Sequence, residues 1–129
     1  MYKKVYEIDG NNFSTFEEFC EEFNRKMNLE ISWNGHLDAL NDILNGGFGT
    51  PDEGFVLAWK NSARSRERLG FGETIRLIEK LLQRCHPSNV PYFKKKLDDA
   101  KRNEGPTVFD WLVEIICSEG HEDIELRLE

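Results

Sequence analysis

A nearly unbroken apolar run, Phe55-Val56-Leu57-Ala58-Trp59, lies between Gly54 and Asn61 near the middle of the chain. Five residues is a usual strand length, and turn-favouring residues bound the run on both sides. A strand that is apolar at consecutive positions is typical of a parallel sheet in which both faces of the strand are covered. We therefore predict that residues 55–59 form the central strand of a parallel sheet.

Two further strands are predicted, one towards each end of the chain. Residues 2–9 contain strand formers and end at the turn Asp9-Gly10-Asn11. Residues 124–128 alternate strictly between apolar and charged side chains, which predicts an edge strand or a half-exposed one.

Helical periodicity fills the segments between these strands, with apolar residues at spacings of three and four. The predicted helices cover about 15–28, 35–45, a short basic segment that ends near Gly70, 73–84, 90–102 and 107–118. Strands joined by helical crossovers form a parallel sheet. We therefore predict one α/β domain over residues 1–129, with a three-stranded parallel sheet packed by helices on one or both faces.

The composition is that of a globular protein. Of the 129 residues 39% are apolar, which is enough for a core without disulfides or metals. No stretch approaches the roughly 18 apolar residues of a membrane span. The charged residues Lys3 and Lys4 lie where a signal peptide would have its apolar core. We expect a cytoplasmic protein with no membrane partner. Its cysteines, Cys20, Cys85 and Cys117, are predicted to be reduced, with the first and last half buried.

Charge is distributed unevenly along the chain. Residues 1–55 hold 11 acidic and 4 basic side chains, residues 56–104 hold 6 and 12, and residues 105–129 hold 7 and 1. The net charge of −7 argues against general nucleic-acid binding, which needs clustered Lys and Arg. If the two ends fold side by side, they form an acidic surface that attracts basic partners.

The predicted helix at 35–45 has two chemically distinct sides. Its apolar residues are Leu37, Leu40, Ile43 and Leu44. At roughly 100° per residue, Asp38, Asp42 and Asn45 gather on the opposite side. No Lys or Arg lies within helical reach of the two aspartates in this segment, so they repel each other modestly. A solvated outer face explains such a pair, and so does a surface that binds a positively charged partner.

The segment 33–44, with the core Leu-Asp-Ala-Leu-x-Asp at 37–42, resembles the second helix of the barstar family. Barstars are small intracellular proteins that inhibit secreted bacterial ribonucleases. In that family this helix and the loop before it plug the nuclease active site, and two aspartates stand in for substrate phosphates. Asp38 and Asp42 match those positions. The resemblance implies a barstar-like fold and an intracellular inhibitor of a small basic, barnase-type ribonuclease, with no cofactor and monomeric when free.

The resemblance also implies where the partner binds. The partner-binding residues that we predict are Trp33, Asn34, Gly35, His36, Asp38, Asn41, Asp42, Asn45, Gly46 and Glu114. Of these, Asp42 is expected to enter the phosphate pocket of the nuclease. Three of these residues also have a structural explanation: Trp33 as a core residue, Asn34 as a helix cap and Gly46 as the residue that ends the helix.

The sequence departs from the family pattern around this helix. Asn41 stands where familiar members carry a tryptophan, and Ser32 and Trp33 replace a tyrosine pair. The usual aromatic residue after the helix comes one place late, as Phe48. These departures affect which nuclease is bound more than whether a basic partner is bound.

The likeness is closest over residues 1–62 and 105–129, whereas 63–104 are longer than in the smallest members and add one or two helices. On the last helix the family's glutamate aligns with Ile115, and Glu114 lies beside it. The longer segment supports a rival hypothesis, an immunity or regulatory protein that uses the barstar fold on a different toxin or partner. Its basic residues are Arg64, Arg66, Arg68 and Lys94-Lys95-Lys96, which a solvated basic face also explains.

Enzyme and metal chemistry find little support in the sequence. The three histidines and three cysteines show neither C-x-x-C nor H-E-x-x-H spacing, and the adjacent pair Cys85-His86 has poor geometry for one metal. The glycine-rich segment 46–49 follows a helix, whereas a phosphate-binding loop follows a strand. We therefore predict a binding protein without a catalytic or metal site.

Overall fold

The computed structural model describes residues 3–29, 32–33, 35–45, 50–51, 53–118 and 120–129. These residues form the strands β1 (Lys4–Asp9), β2 (Phe55–Lys60) and β3 (Ile124–Leu128), and the helices α1 (Phe16–Met27), α2 (Leu37–Leu44), α3 (Ser62–Arg68), α4 (Phe71–Leu82), α5 (Val90–Lys101) and α6 (Val108–Ile116). Each predicted element is present, with ends that differ by one or two residues. Within the described residues, none of the helices has the length and apolar character needed to cross a bilayer.

The three strands form a parallel sheet in the order β1-β2-β3. Tyr6 of β1 and Leu126 of β3 lie opposite Leu57 of β2, so side chains of one face line up across the sheet. Every residue of β2 from Phe55 to Trp59 is buried, whereas β1 and β3 carry exposed residues at the edges. The predicted α/β fold and its central strand are confirmed.

The hydrophobic core lies on the face of the sheet that carries Trp59. The ring centroid of this fully buried tryptophan lies 5.3 Å from that of Phe19 in α1 and 5.1 Å from that of Phe109 in α6. Its indole Nε1–H donates to the Ser65 hydroxyl at 2.9 Å. Val56, on the opposite face, is buried but is not part of this core. The central tryptophan therefore joins helices from both ends of the chain.

The apolar spacing of 107–118 predicts that α6 turns Val108, Trp111, Leu112, Ile115 and Ile116 to the core, and Val108, Leu112 and Ile116 are buried as predicted. Trp111 and Ile115 are predicted to point inward but are only half buried. Phe109, which is not on the predicted inner face, is buried against Trp59. The contact with Trp59 sets the rotation of the helix and leaves Trp111 and Ile115 at the edge of the core.

Helix α4 supplies hydrogen-bond acceptors to the starts of two other helices. Thr15 and Glu18 form a capping box on α1, and the buried Glu73 of α4 also accepts from the Phe16 N–H at 2.7 Å. The buried Thr74 hydroxyl accepts from the Val108 N–H at 2.9 Å, at the start of α6. The first four N–H groups of a helix lack acceptors within that helix, and here Glu73 and Thr74 of α4 supply acceptors for one such group in α1 and one in α6. The longer middle segment is thus bonded to both end segments.

We expect Thr74→Val to lower the free energy of unfolding by about 1–3 kcal/mol, because it leaves the buried Val108 N–H without an acceptor. The urea midpoint, followed by circular dichroism, measures the loss. Thr74→Ser keeps the hydroxyl and is expected to lose much less. An unchanged midpoint in Thr74→Val, which keeps the methyl group and loses the hydroxyl, would mean that the hydrogen bond does not stabilise this contact.

The three cysteines are free thiols. Burial raises the pKa of the Cys20 thiol to about 12, so it is protonated at neutral pH. Cys117 is exposed, which corrects the prediction that it is half buried. It directly follows the last residue of α6 and does not share the buried face of that helix.

Candidate functional site

Helix α2 has one face in the core and the other in solvent. Leu40, Ile43 and Leu44 are buried and Leu37 is half buried. The exposed residues are Asp38, Asn41, Asp42 and Asn45. The predicted division of this helix into an apolar and an acidic side is therefore confirmed.

The two aspartates have no cationic partner among the residues that the structure describes. None of the ion pairs or side-chain hydrogen bonds between those residues engages Asp38 or Asp42. Asp38 lies in the first turn of α2, where the helix dipole favours a negative charge, and Asp42 lies one turn further on. Both side chains are exposed to solvent.

Trp33 lies in the core, with 3% of its surface exposed. Its ring packs edge-on against Phe16, Phe19 and Phe23, with centroids 5.6 to 6.0 Å apart. The Asn24 side chain accepts from the Trp33 N–H at 2.7 Å and donates to its carbonyl at 2.8 Å. These contacts correct the prediction that Trp33 anchors a partner at the surface. They fix the backbone just before α2.

Trp33 also positions the start of α2 through His36. The indole Nε1–H donates to the His36 carbonyl at 2.7 Å, and the same carbonyl accepts from the Leu40 N–H at 3.2 Å. The His36 side chain is exposed. Gly35 adopts φ +88°, and a Cβ atom there would lie 3.4 Å from the Cys20 sulfur. A side chain at this position would therefore be strained in backbone conformation.

Helix α6, from the end of the chain, packs beside α2. Glu114 is exposed on α6 and lines a groove together with Leu37, the first residue of α2. After α6, Gly120 approaches the other end of α2, because a Cβ atom built there would lie 3.6 Å from Asn45 Oδ1. Glu114 thus shares one side of the molecule with α2. Asn34, Gly46 and Phe48 lie outside the described residues.

Two buried carboxylates lie away from α2 and have structural roles. Glu22 accepts from the Asp9 N–H at 2.9 Å and from the Asn12 side chain at 3.1 Å, and it pairs with Arg25. Burial by itself raises the pKa of Glu22, but these hydrogen bonds outweigh it and the pKa lies below its usual value. Glu73 caps α1 and pairs with Arg76. Both carboxylates are therefore satisfied within the fold.

Most of the basic residues in the longer segment, 63–104, make contacts within the molecule. Arg68 donates to the carbonyls of Gly10 and Phe13 at 3.2 and 3.3 Å, and the Arg66 guanidinium lies 4.7 Å from the Phe109 ring centroid. Arg64 donates to the Asn11 side chain at 2.9 Å. In α5, Lys94 and Lys95 are exposed. The arginines therefore stabilise the fold whether or not the segment contacts a partner.

Metal-ligating side chains do not cluster in the part of the chain that the structure describes, where no group of three or more His, Cys, Asp or Glu residues could hold an ion. His86 instead caps the turn before α5, since its Nδ1 accepts from the Ser88 N–H at 3.1 Å.

Comparison with known families gives one informative match. The model of a family described as Barstar (barnase inhibitor) matches residues 3–102, which is most of the chain. The match includes α2 and nearly all of 63–104, and it ends before α6, whereas the sequence predicts the closest likeness over 1–62 and 105–129. A comparison with curated proteins found no match.

Proposed function

Because the chain belongs to the barstar family, we propose that it inhibits a small basic, barnase-type ribonuclease by covering the active site of the nuclease with α2. The family is one of inhibitors and not of enzymes. The observation that carries the proposal is the pair of exposed aspartates on a helix whose other face is buried. A helix held in this way presents its charges at a fixed spacing, which lowers the entropy lost on binding.

In the proposed complex Asp42 enters the phosphate pocket, and Asp38 and Glu114 make flanking pairs. A ribonuclease keeps cationic donors in that pocket because it must bind the phosphates of RNA. A carboxylate offers them the same sign of charge and strong charge-assisted hydrogen bonds.

The edge of the proposed interface is polar. His36, Asn41 and Asn45 are exposed there and are suited to hydrogen bonds with the nuclease. Asn34, Gly35 and Gly46 complete the proposed surface at the two ends of α2. Such an inhibitor protects the cell that makes the nuclease, so we place it in the bacterial cytoplasm, as a monomer when free.

The direct test measures inhibition of purified barnase and of other small basic secreted bacterial ribonucleases. We expect stoichiometric inhibition of at least one of them, with an equimolar complex in sedimentation. No inhibition of any of them would contradict the proposal. It would favour an immunity or regulatory role towards another partner, for which the exposed Lys94 and Lys95 are the supporting feature.

We expect the association rate constant to fall about tenfold or more between roughly 0.01 and 0.15 M salt, as the screening length shortens from ~30 to ~8 Å. The dissociation rate constant is expected to change little, because close pairs within the interface are screened less. Stopped-flow fluorescence measures both constants. An association rate that is flat across this range would exclude electrostatic attraction by the acidic face.

A further inference from the structure

A groove of about 350 Å³ opens between α2, α5 and α6. Its walls carry aromatic rings, Tyr92 and Phe93 from α5 and Trp111 from α6, and Leu37 of α2 also lines it. Tyr92 is 60% exposed, and Phe93 and Trp111 are half buried. We call the residues Leu37, Tyr92, Phe93, Lys96, Trp111 and Glu114 the aromatic groove. Clustered aromatic residues that remain open to solvent are typical of binding surfaces.

Lys96 links the two walls of the aromatic groove. Its Nζ atom lies 5.0 Å from the ring centroid of Tyr92 and 5.4 Å from that of Trp111, which are cation–π distances. Tyr92 also packs edge-on against Phe93, with centroids 5.3 Å apart. These contacts restrict the rings in the free protein. A partner that binds here therefore has less side-chain motion to restrict.

The aromatic groove reaches the start of α2, the helix that carries Asp38 and Asp42. Leu37 directly precedes Asp38, and Glu114 is both a groove residue and an exposed carboxylate of α6. The exposed Lys94 and Lys95 are not among the residues that line the groove. A standard interface covers roughly 800 Å² on each partner, which is more than the exposed face of an eight-residue helix provides. A protein seated on α2 therefore needs a second contact area beside it.

We propose that the aromatic groove is the second half of the ribonuclease-binding surface and takes an apolar side chain of the same nuclease, next to a basic residue that pairs with Glu114. This proposal rests on the proposed function, because its occupant is the ribonuclease that α2 covers. The two areas contribute differently. The acidic face accelerates association through charge, whereas apolar burial in the groove slows dissociation.

The test uses the full chain and the ribonuclease that it inhibits most strongly. Tyr92→Ala is expected to raise Kd roughly tenfold, almost entirely through faster dissociation, with the association rate constant and its salt dependence unchanged. Tyr92→Phe keeps the ring and is expected to bind like the parent. Val5→Ala is the matched control, because Val5 is 49% exposed on β1 and is not a groove residue. Stopped-flow kinetics gives the rate constants, and the urea midpoint checks that each variant is folded.

Each other outcome overturns the proposal. If Tyr92→Ala dissociates like the parent while Asp42→Ala loses binding, the aromatic groove is not part of the interface and the proposed function stands. If the parent inhibits no ribonuclease, both proposals fail. If the parent forms a concentration-dependent dimer that Tyr92→Ala abolishes, the occupant is a second copy of this chain. An equal effect of Val5→Ala would show that the loss is not specific to the groove.

Discussion

Asp42→Ala will bind the ribonuclease more weakly than the parent by roughly 2–5 kcal/mol, the largest loss of any single truncation on α2, with Asp38→Ala next. A carboxylate that replaces an RNA phosphate loses its solvent on binding, and its removal leaves cationic groups of the nuclease buried and unpaired. The magnitude is that of desolvated charge pairs in general, including those of the barnase–barstar complex, and does not come from this structure. Calorimetry measures the change.

Stability distinguishes this effect from damage to the fold. Asp42 is exposed, so its removal is expected to leave the urea midpoint almost unchanged. Glu67→Ala is the matched control, since it removes an exposed carboxylate from α3, away from α2. We expect it to alter affinity only slightly. Asp42→Ala binding as tightly as the parent would exclude phosphate mimicry at this position.

Gly54→Ala will destabilise the fold by about 3–5 kcal/mol, the largest expected effect of any substitution on stability that we describe. Gly54 adopts φ +91°, and a Cβ atom there would lie 2.1 Å from the Asp123 carbonyl oxygen. Because Gly54 precedes β2 and Asp123 precedes β3, the methyl group would force apart two segments that must stay close for the strands to pair. The urea midpoint by circular dichroism measures the loss.

Gly72→Ala is the matched control for this substitution. Gly72 lies in α4, and a Cβ atom there would meet nothing within 4 Å. We expect it to stabilise the protein by roughly 0.5–1 kcal/mol, because alanine favours helix more than glycine does. If both variants lost stability equally, close approach to Asp123 would not be the cause of the Gly54 effect.

Local pattern was sufficient to predict most of the fold. The apolar run at 55–59 is a buried central strand because β1 and β3 pair with both of its edges and the hydrophobic core covers its Trp59 face. The spacing of three and four around Leu40 and Leu44 correctly divided α2 into a buried and an exposed face. Both predictions depend on the geometry of a single helix or strand, which neighbouring residues encode.

Predictions that depend on contacts between distant segments were less complete. Phe109 and Trp111 differ little in apolar character, and the spacing within α6 favours Trp111 for the inner face, yet it is Phe109 that packs against Trp59. The acceptors that Glu73 and Thr74 offer to α1 and α6 were not predicted, because the partners lie 57 and 34 residues away in sequence.

For the candidate site, the acidic face of α2 can be predicted from the sequence, since Asp38 and Asp42 lie one helical turn apart wherever the helix packs. The burial of Trp33 depends instead on packing between segments, because its pocket is built by Phe16, Phe19 and Phe23 of α1. The aromatic groove likewise forms because α5 and α6 pack beside α2 in the folded chain. Helical periodicity acts over a few residues, whereas burial and grooves depend on which elements pack together.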